Sequence, residues 1–406
     1  MVTGRSTPPA MFGGPPSFPE GLPFVRPSVP DAEAVLPDFR KILESGMLTN
    51  AGYVRELERR AADYLGVRHC IAVSSCTSGL MLLLRASDLS GDVVLPSFTF
   101  AATAHAVAWN GLRPVFTDIH PETLTLSPEA VYAAVGVRTS AVLATHTYGT
   151  PCDVDALTTL TRKDGIRLFF DAAHAFGSRS AGRPIGGFGD GEVFSLSPTK
   201  VLVAAEGGII ATNDDLLAER CRIGRDYANP GDYDCRFVGL NARMSELHAA
   251  LALASLDGLD ERIERRNALA SAYKAALGAI PGISFPAIRD GDRSTFKDFT
   301  ILVDPETFGC DAERLGRALA EDGIDTRRYY APPVHQMRAY RMLNGGSGKL
   351  ETTKAIAGKV LTLPLWIDMS DETAGRVAGA VERIQGWLEA RRKDTVGRNG
   401  SSESRQ

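Results

Sequence analysis

Three short stretches of this chain place polar, reactive side chains directly after apolar runs. Ser74-Ser75-Cys76-Thr77-Ser78-Gly79 follows Cys70-Ile71-Ala72-Val73 and leads into the helical run Leu80 to Arg85. Small hydroxyl residues at such a junction leave backbone N–H groups open at a positive helix N-terminus, which suits a phosphate. Taken alone, the same residues also serve as ordinary helix caps. Asp171 ends the run Arg167-Leu168-Phe169-Phe170 and precedes Ala172-Ala173-His174. A carboxylate at the mouth of an apolar strand is costly to desolvate unless a cation or several donors meet it, so it needs a partner or a capping duty. A metal would need further carboxylates or histidines close by; only His174 is at hand, so no metal site is expected. The third stretch, Phe194-Ser195-Leu196-Ser197-Pro198-Thr199-Lys200, leads into Glu206-Gly207-Gly208. Lys200 by itself is either a solvated lysine or a nucleophilic amine.

The conjunction is narrower than its parts. A phosphate cradle, a carboxylate and a lysine on successive strand ends match the needs of pyridoxal phosphate: donors for its phosphate, an acid partner for its ring nitrogen, and an amine for its aldehyde. The ring also needs a flat surface. Phe100, within Pro96-Ser97-Phe98-Thr99-Phe100-Ala101-Ala102-Thr103, can stack there or be an ordinary core phenylalanine.

Such groups need a frame that brings strand ends together. Apolar runs at Cys70 to Ser74, Val93 to Leu95, Val115 to Asp118, Ala141 to Thr145, Leu168 to Asp171 and Gly208 to Thr212 alternate with helical stretches that include Asp153 to Arg162 and Asp214 to Arg222. The alternation predicts an α/β fold, a mainly parallel sheet between helices, with ligands at the carboxyl ends of its strands. A helix from Tyr53 through Leu65 ends at Gly66, and a long helical region from Ser245 to Tyr273 has a break near Gly258. Strand Thr300 to Val303, helix Asp311 to Glu321, strand Ile324 to Tyr329 and a closing helix Asp371 to Glu389 then predict a smaller α+β domain. The expected organisation is a mobile extension over 1–21, a large domain over 22–256, a small one over 257–390, and a disordered tail over 391–406.

Composition agrees with this frame and excludes others. The chain has 406 residues, 44% hydrophobic and 23% charged, more than a single core accommodates. Its 45 Lys+Arg against 49 Asp+Glu leave a formal charge of -4, so neither nucleic acid nor an anionic membrane is an expected partner. Six scattered cysteines without CxxC spacing, and no apolar stretch of about 20 residues, predict a cytoplasmic protein with reduced thiols.

Ser75-Cys76-Thr77-Ser78, Pro96 to Thr103, His146-Thr147-Tyr148-Gly149, Asp171-Ala172-Ala173-His174, Ser195 with Lys200, Glu206-Gly207-Gly208 and Gly239-Leu240-Asn241-Ala242-Arg243-Met244-Ser245-Glu246 occur in a set order. In this the chain resembles the DegT-type (DegT/DnrJ/StrS-like) sugar aminotransferases, from about Leu22 to Leu388. The resemblance implies a fold-type-I pyridoxal-phosphate enzyme, a homodimer with each active site built from both subunits. It implies that Lys200 forms the Schiff base, Asp171 pairs with the pyridinium nitrogen, Phe100 lies against the ring and His174 sits beside it. Ser75, Cys76, Thr77 and Ser195 would hold the phosphate, Asn241 the phosphate of the neighbouring subunit, while Thr49, Tyr330 and His335 would line the substrate side. The implied reaction moves an amino group from an amino acid, L-glutamate by analogy, to a keto sugar linked to a nucleoside diphosphate. Such chemistry serves amino-sugar, antibiotic or polysaccharide biosynthesis. A keto-cyclitol acceptor, or a non-catalytic regulator that binds the cofactor, are the alternatives. Lys200 argues against the dehydratase relatives, which carry histidine there. Cys76, Gly79, Phe170 and Ala205 depart from the family's usual Gly, Ala, Glu and Gly without removing a chemical group.

Overall fold

The computed structural model describes residues 7–342 and 349–402. Seven strands form the large sheet in the order β1 (His69–Val73), β9 (Gly208–Thr212), β8 (Gly191–Ser195), β5 (Arg167–Asp171), β4 (Thr139–Thr145), β2 (Asp92–Pro96) and β3 (Arg113–Thr117). All neighbours are parallel except β9, which runs antiparallel to both β1 and β8. Two reversals in succession return β1 to the common direction, so Val73, Asp171 and Ser195 open on one edge. The strands are apolar on both faces because both are covered: Phe169 packs with Leu143 and Val193 in one core, Phe170 with Ala144 and Phe194 in the other.

Helices α1 (Ala32–Ser45), α2 (Gly52–Leu65), α3 (Cys76–Ala86), α4 (Ala101–Trp109), α5 (Pro128–Ala134), α6 (Val154–Lys163), α7 (Asp215–Gly224) and α8 (Glu246–Leu256) belong to this large unit, which also carries the short hairpin β6 (Arg179–Ser180) and β7 (Arg183–Pro184). Gly66 ends α2 in the left-handed conformation, and Gly258, also left-handed at φ 67°, separates α8 from α9 (Leu259–Leu277). The smaller unit holds the antiparallel sheet β10 (Ile283–Ser284), β11 (Phe299–Val303) and β12 (Val360–Leu363), with α10 (Pro305–Phe308), α11 (Ala312–Glu321), α12 (Glu351–Lys359) and α13 (Asp371–Ser402). Helix α9 joins the two units: Leu259 and Ile263 sit in the large core, and Leu269, Tyr273 and Leu277 in the small one.

Three expectations give way. Residues 7–21 are not a free extension: Phe18 is buried in the small core and its N–H donates to Asp322 O at 2.9 Å, while Arg383 joins Ser17 to the same aspartate. One buried aromatic anchors a Pro- and Gly-rich segment whose composition argues for mobility. The closing helix runs past Glu389 to Ser402 instead of giving way to a tail; Met1–Ser6 and residues 403–406 lie outside the described residues. The expected strand Ile324 to Tyr329 is irregular, tied by single bridges from Ile324 to Leu22 and from Arg327 to Thr362. Its place beside β11 is taken by Val360–Leu363, whose apolar residues fill both faces where Asp325, Arg327 and Arg328 could not.

The departure at Gly79 has a packing cause. A Cβ there would stand 2.7 Å from Val193 Cγ1 and 3.0 Å from Val73 Cγ2. Gly79→Ala should therefore destabilise the protein by about 1–2 kcal/mol despite its better helix propensity. Adding Val193→Ala should recover part of that loss in urea unfolding, because it removes the colliding methyl group; a Gly79→Ala protein as stable as the parent would contradict the overlap.

Candidate active site

The carboxyl edge of the large sheet and two segments of the small unit, at Lys297–Asp298 and Tyr329–Tyr330, enclose a cavity of about 300 Å³. Its phosphate-sized end is built by backbone. Ser75 caps α3 by accepting from Ser78 N at 3.0 Å, and Ser78 Oγ accepts in return from Ser75 N, so the turn is rigid before any ligand arrives. Gly208 pairs with Val73 on one side and Ser195 on the other, and a Cβ there would lie 2.7 Å from the Cys76 nitrogen. Only glycine lets β9 pass this close to the helix start. Burial pushes the Cys76 thiol well above its ordinary range, and its Sγ is turned to Val193 O at 3.7 Å. What Cys76 offers the cavity is its N–H.

Asp171 is no helix cap. Its Oδ2 accepts from Thr103 Oγ1 at 2.7 Å and its Oδ1 from Ala173 N at 3.1 Å, deep in the cavity floor. Burial pushes its carboxyl up, against the opposing pull of Thr103, Ala173 and Lys200. Thr103 is itself held by Thr99 Oγ1 at 2.8 Å, which meets Thr145 at 3.1 Å, so a threonine chain fixes the carboxylate from below. Phe98 and Phe100 divide the roles left open in their segment: Phe98 is fully buried, while Phe100, at the start of α4, is 62% exposed and faces the cavity.

Lys200 enters from the loop after β8, its N–H bonded to Ser197 O at 3.0 Å. Burial first, and the charge of Lys297 second, lower its ammonium to about 8, so a far larger fraction is free amine at neutral pH than for a lysine in water. His174 is held well below its ordinary range by burial and by the two lysines, and is therefore a neutral imidazole.

Ser75, Cys76, Thr77, Ser195 and Tyr330 line the same cavity as these groups. Three residues singled out from sequence do not. Thr49 Oγ1 donates to Met244 O at 2.9 Å, and Asn241 is exposed in a bridge with Asp226. His335 is buried behind the wall, with Nδ1 2.6 Å from Ser97 Oγ. Sequence reasoning missed Lys297 and Asp298, whose side chains reach the cavity from the start of β11. The signal was a pair of opposite charges before an apolar strand, whereas the groups sought lay after strands. A larger groove of about 770 Å³ between α1, α2 and α8 has neither lysine nor histidine on its walls, so the chemistry belongs to the smaller cavity.

These residues fit pyridoxal phosphate. The glycine-cleared helix start supplies N–H donors, Asp171 an anchored carboxylate, Phe100 an open aromatic face and Lys200 a weakened ammonium. A buried amine placed with an anchored carboxylate at the mouth of a parallel sheet is equipped for carbonyl exchange, the chemistry that defines aminotransferases. Residues 31–382 match the DegT/DnrJ/EryC1/StrS aminotransferase family, and the chain belongs to it. Aminotransferases of this family depend on pyridoxal phosphate. Among its relatives, the dTDP-4-amino-4,6-dideoxy-D-glucose transaminase of Escherichia coli is 30% identical over 367 residues, covering 88% of this chain and 96% of that protein. The erythromycin biosynthesis sensory transduction protein EryC1 of Saccharopolyspora erythraea is 34% identical over 346 residues, 84% of this chain and 93% of its own. A solved structure of DesI in the presence of its TDP-sugar product superimposes with a TM-score of 0.88 at 38% identity, covering 95% of this chain and 98% of that one.

The lowered ammonium has a measurable consequence. Uptake of pyridoxal phosphate by cofactor-free protein, followed by its absorbance, should rise with pH through a midpoint of about 8. Lys297→Met should move that midpoint upward, since it removes one cause of the lowering and leaves Asp298 unneutralised. A midpoint at the free-lysine value of about 10.4 would show that Lys200 is not the reacting amine.

Proposed function

We propose that this enzyme binds pyridoxal 5'-phosphate and moves an amino group from L-glutamate to a keto sugar carried on a nucleoside diphosphate. The observation that carries the reading is Lys200, its ammonium weakened by burial, in one cavity with the anchored carboxylate of Asp171. The sugar acceptor is supported by the dTDP-sugar transaminase and by DesI with its TDP-sugar product.

Pyridoxal phosphate, when bound, supplies the electron sink for the α-carbon. The backbone N–H groups of Ser75, Cys76 and Thr77, with the Ser195 hydroxyl, hold its phosphate. Asp171 keeps a proton on the ring nitrogen, because a carboxylate beside it favours the charged form. Phe100 covers one ring face, and His174, neutral, sits beside the ring without adding charge. Lys200 Nζ takes the proton from the donor's α-carbon and returns it to the acceptor carbon, a task suited to an amine that titrates near the working pH.

The working unit in this reading is a homodimer with shared sites. Asn241 is exposed and does not line its own chain's cavity, as expected of a residue that serves a neighbour. Leu36, Leu43, Met47 and Leu48, on α1 and just after it, are each at least half exposed, an apolar stripe fit for a second copy.

Borohydride reduction and peptide mapping should find the cofactor fixed to Lys200, and label on another lysine would overturn the assignment. Asp171→Asn should keep most of its cofactor yet lose turnover by at least about 100-fold; parental turnover would make Asp171 merely structural. A panel of keto-sugar nucleotides and keto-cyclitols, offered to the amino form of the enzyme, identifies the acceptor class by return of the aldehyde-form spectrum. Mixing Lys200→Ala with Asn241→Ala should restore activity after subunit exchange, since both defects can then fall in one site. No rescue despite proven exchange and impaired parents would contradict sharing.

A further inference from the structure

Lys297 and Asp298 form a buried ion pair inside the reaction cavity. Lys297 Nζ donates to Asp298 Oδ1 at 2.7 Å, and the side chains are 5% and 2% exposed. An ammonium has three N–H donors. Among the described residues Asp298 is the one hydrogen-bond partner of this ammonium, with the Tyr329 ring 5.8 Å from it. Asp298 Oδ2 is buried without a hydrogen-bond partner, 3.9 Å from His174 Nδ1.

The pair is held rigidly. Buried Arg266 donates to the carbonyls of Thr295, Phe296 and Lys297 at 2.6–3.3 Å, and Lys297 N donates to Tyr148 O at 3.0 Å. Thr295 Oγ1 ties the loop to the large unit through His174 O at 2.6 Å. A desolvated ammonium with unused donors and a fixed position is a seat for an anion.

Two substrate anions come into question, the α-carboxylate of the amino donor and the diphosphate of the acceptor. The carboxylate is one bond from the carbon that Lys200 must reach, and so must lie in the same cavity of about 300 Å³. A diphosphate is separated from the keto carbon by a sugar ring, which places it toward the mouth. The cofactor's own phosphate has its donors at the start of α3. We propose that Lys297 binds the α-carboxylate of the amino-acid donor and that Asp298 is the positioning residue that aims its ammonium.

This assignment, which rests on the transaminase reading, explains why the cation comes as a pair. Donor and acceptor occupy the cavity in turn, and only the donor brings a carboxylate. A lone buried lysine would be an uncompensated charge during the acceptor's visit, whereas Asp298 neutralises it throughout.

The test uses cofactor-loaded protein and glutarate, a dicarboxylate of the donor's length without its amine, with binding read by calorimetry. Lys297→Met, loaded with cofactor at a pH above its raised uptake midpoint, should weaken glutarate at least about tenfold, the worth of a charge-assisted hydrogen bond, with binding of a free nucleoside diphosphate unchanged. The KM for glutamate should rise with it while the acceptor KM stays, and Lys297→Arg should recover most of the affinity. Glutarate binding as in the parent, or a loss confined to the nucleoside diphosphate, would overturn the proposal. If Lys297→Met takes up no cofactor, Asp298→Asn decides: the amide keeps the Oδ1 acceptor that aims the ammonium and removes only the neutralising charge, so glutarate should bind more tightly, and unchanged or weaker binding overturns the proposal. A parent protein that binds glutarate but transaminates no amino acid would instead refute the functional reading.

Discussion

Charged groups at the carboxyl edge of the large sheet are taken out of water, and each must find fixed partners there. Asp171 has Thr103 and the Ala173 N–H; Asp298 has Lys297; Lys200 has no close carboxylate partner among the described residues, and its ammonium is weakened accordingly. That uneven provision leaves Lys200, in the same cavity as the paired Lys297, with a weakened ammonium. Were Lys200 paired as Lys297 is, its ammonium would be stabilised and its amine withheld.

The support continues behind the cavity wall. His146, one residue past β4, stacks on Phe170 at 4.8 Å and meets Glu192 at 3.3 Å, while Glu192 accepts from the Gly186 and Phe188 N–H groups. Burial acts to lower His146, but Cys152 and Glu192 outweigh it and raise it to about 9. This charged network lies directly under the strand that ends in Asp171, and it links β4, β5 and β8 where their ends must stay in register. The small unit contributes from the opposite side, through the Arg266 clamp on Thr295, Phe296 and Lys297. Because α9 carries Arg266 and packs in both cores, the position of the Lys297 loop depends on how the two units meet.

The parts of the site legible in the sequence share one property: they lie next to a strand end in the chain itself. Ser75 to Thr77 follow β1, Asp171 closes β5, and Ser195 closes β8, so local patterning was sufficient to place them on one edge. Thr103 stood in a segment already singled out, but its bond to Asp171 spans 68 residues and no local rule points to it. His335 was misplaced for a related reason. A histidine between Val334 and Gln336 has the same local signature whether it faces a cavity or, as here, turns its Nδ1 to Ser97.

The sequence alone pointed to six of the seven strands of the large sheet, the strand edge that bears the polar groups and the family, because these follow from short-range periodicity and from residue types in a set order. Only the tertiary structure decided that Phe98 is core and Phe100 is not, that Phe18 anchors the N-terminal segment, that Val360–Leu363 displaces residues 324–329 beside β11, and that Lys297 and Asp298 enter the cavity. Each of these outcomes is a contest for buried space between segments distant in the chain, and burial is settled by which neighbours arrive, a quantity no local pattern contains.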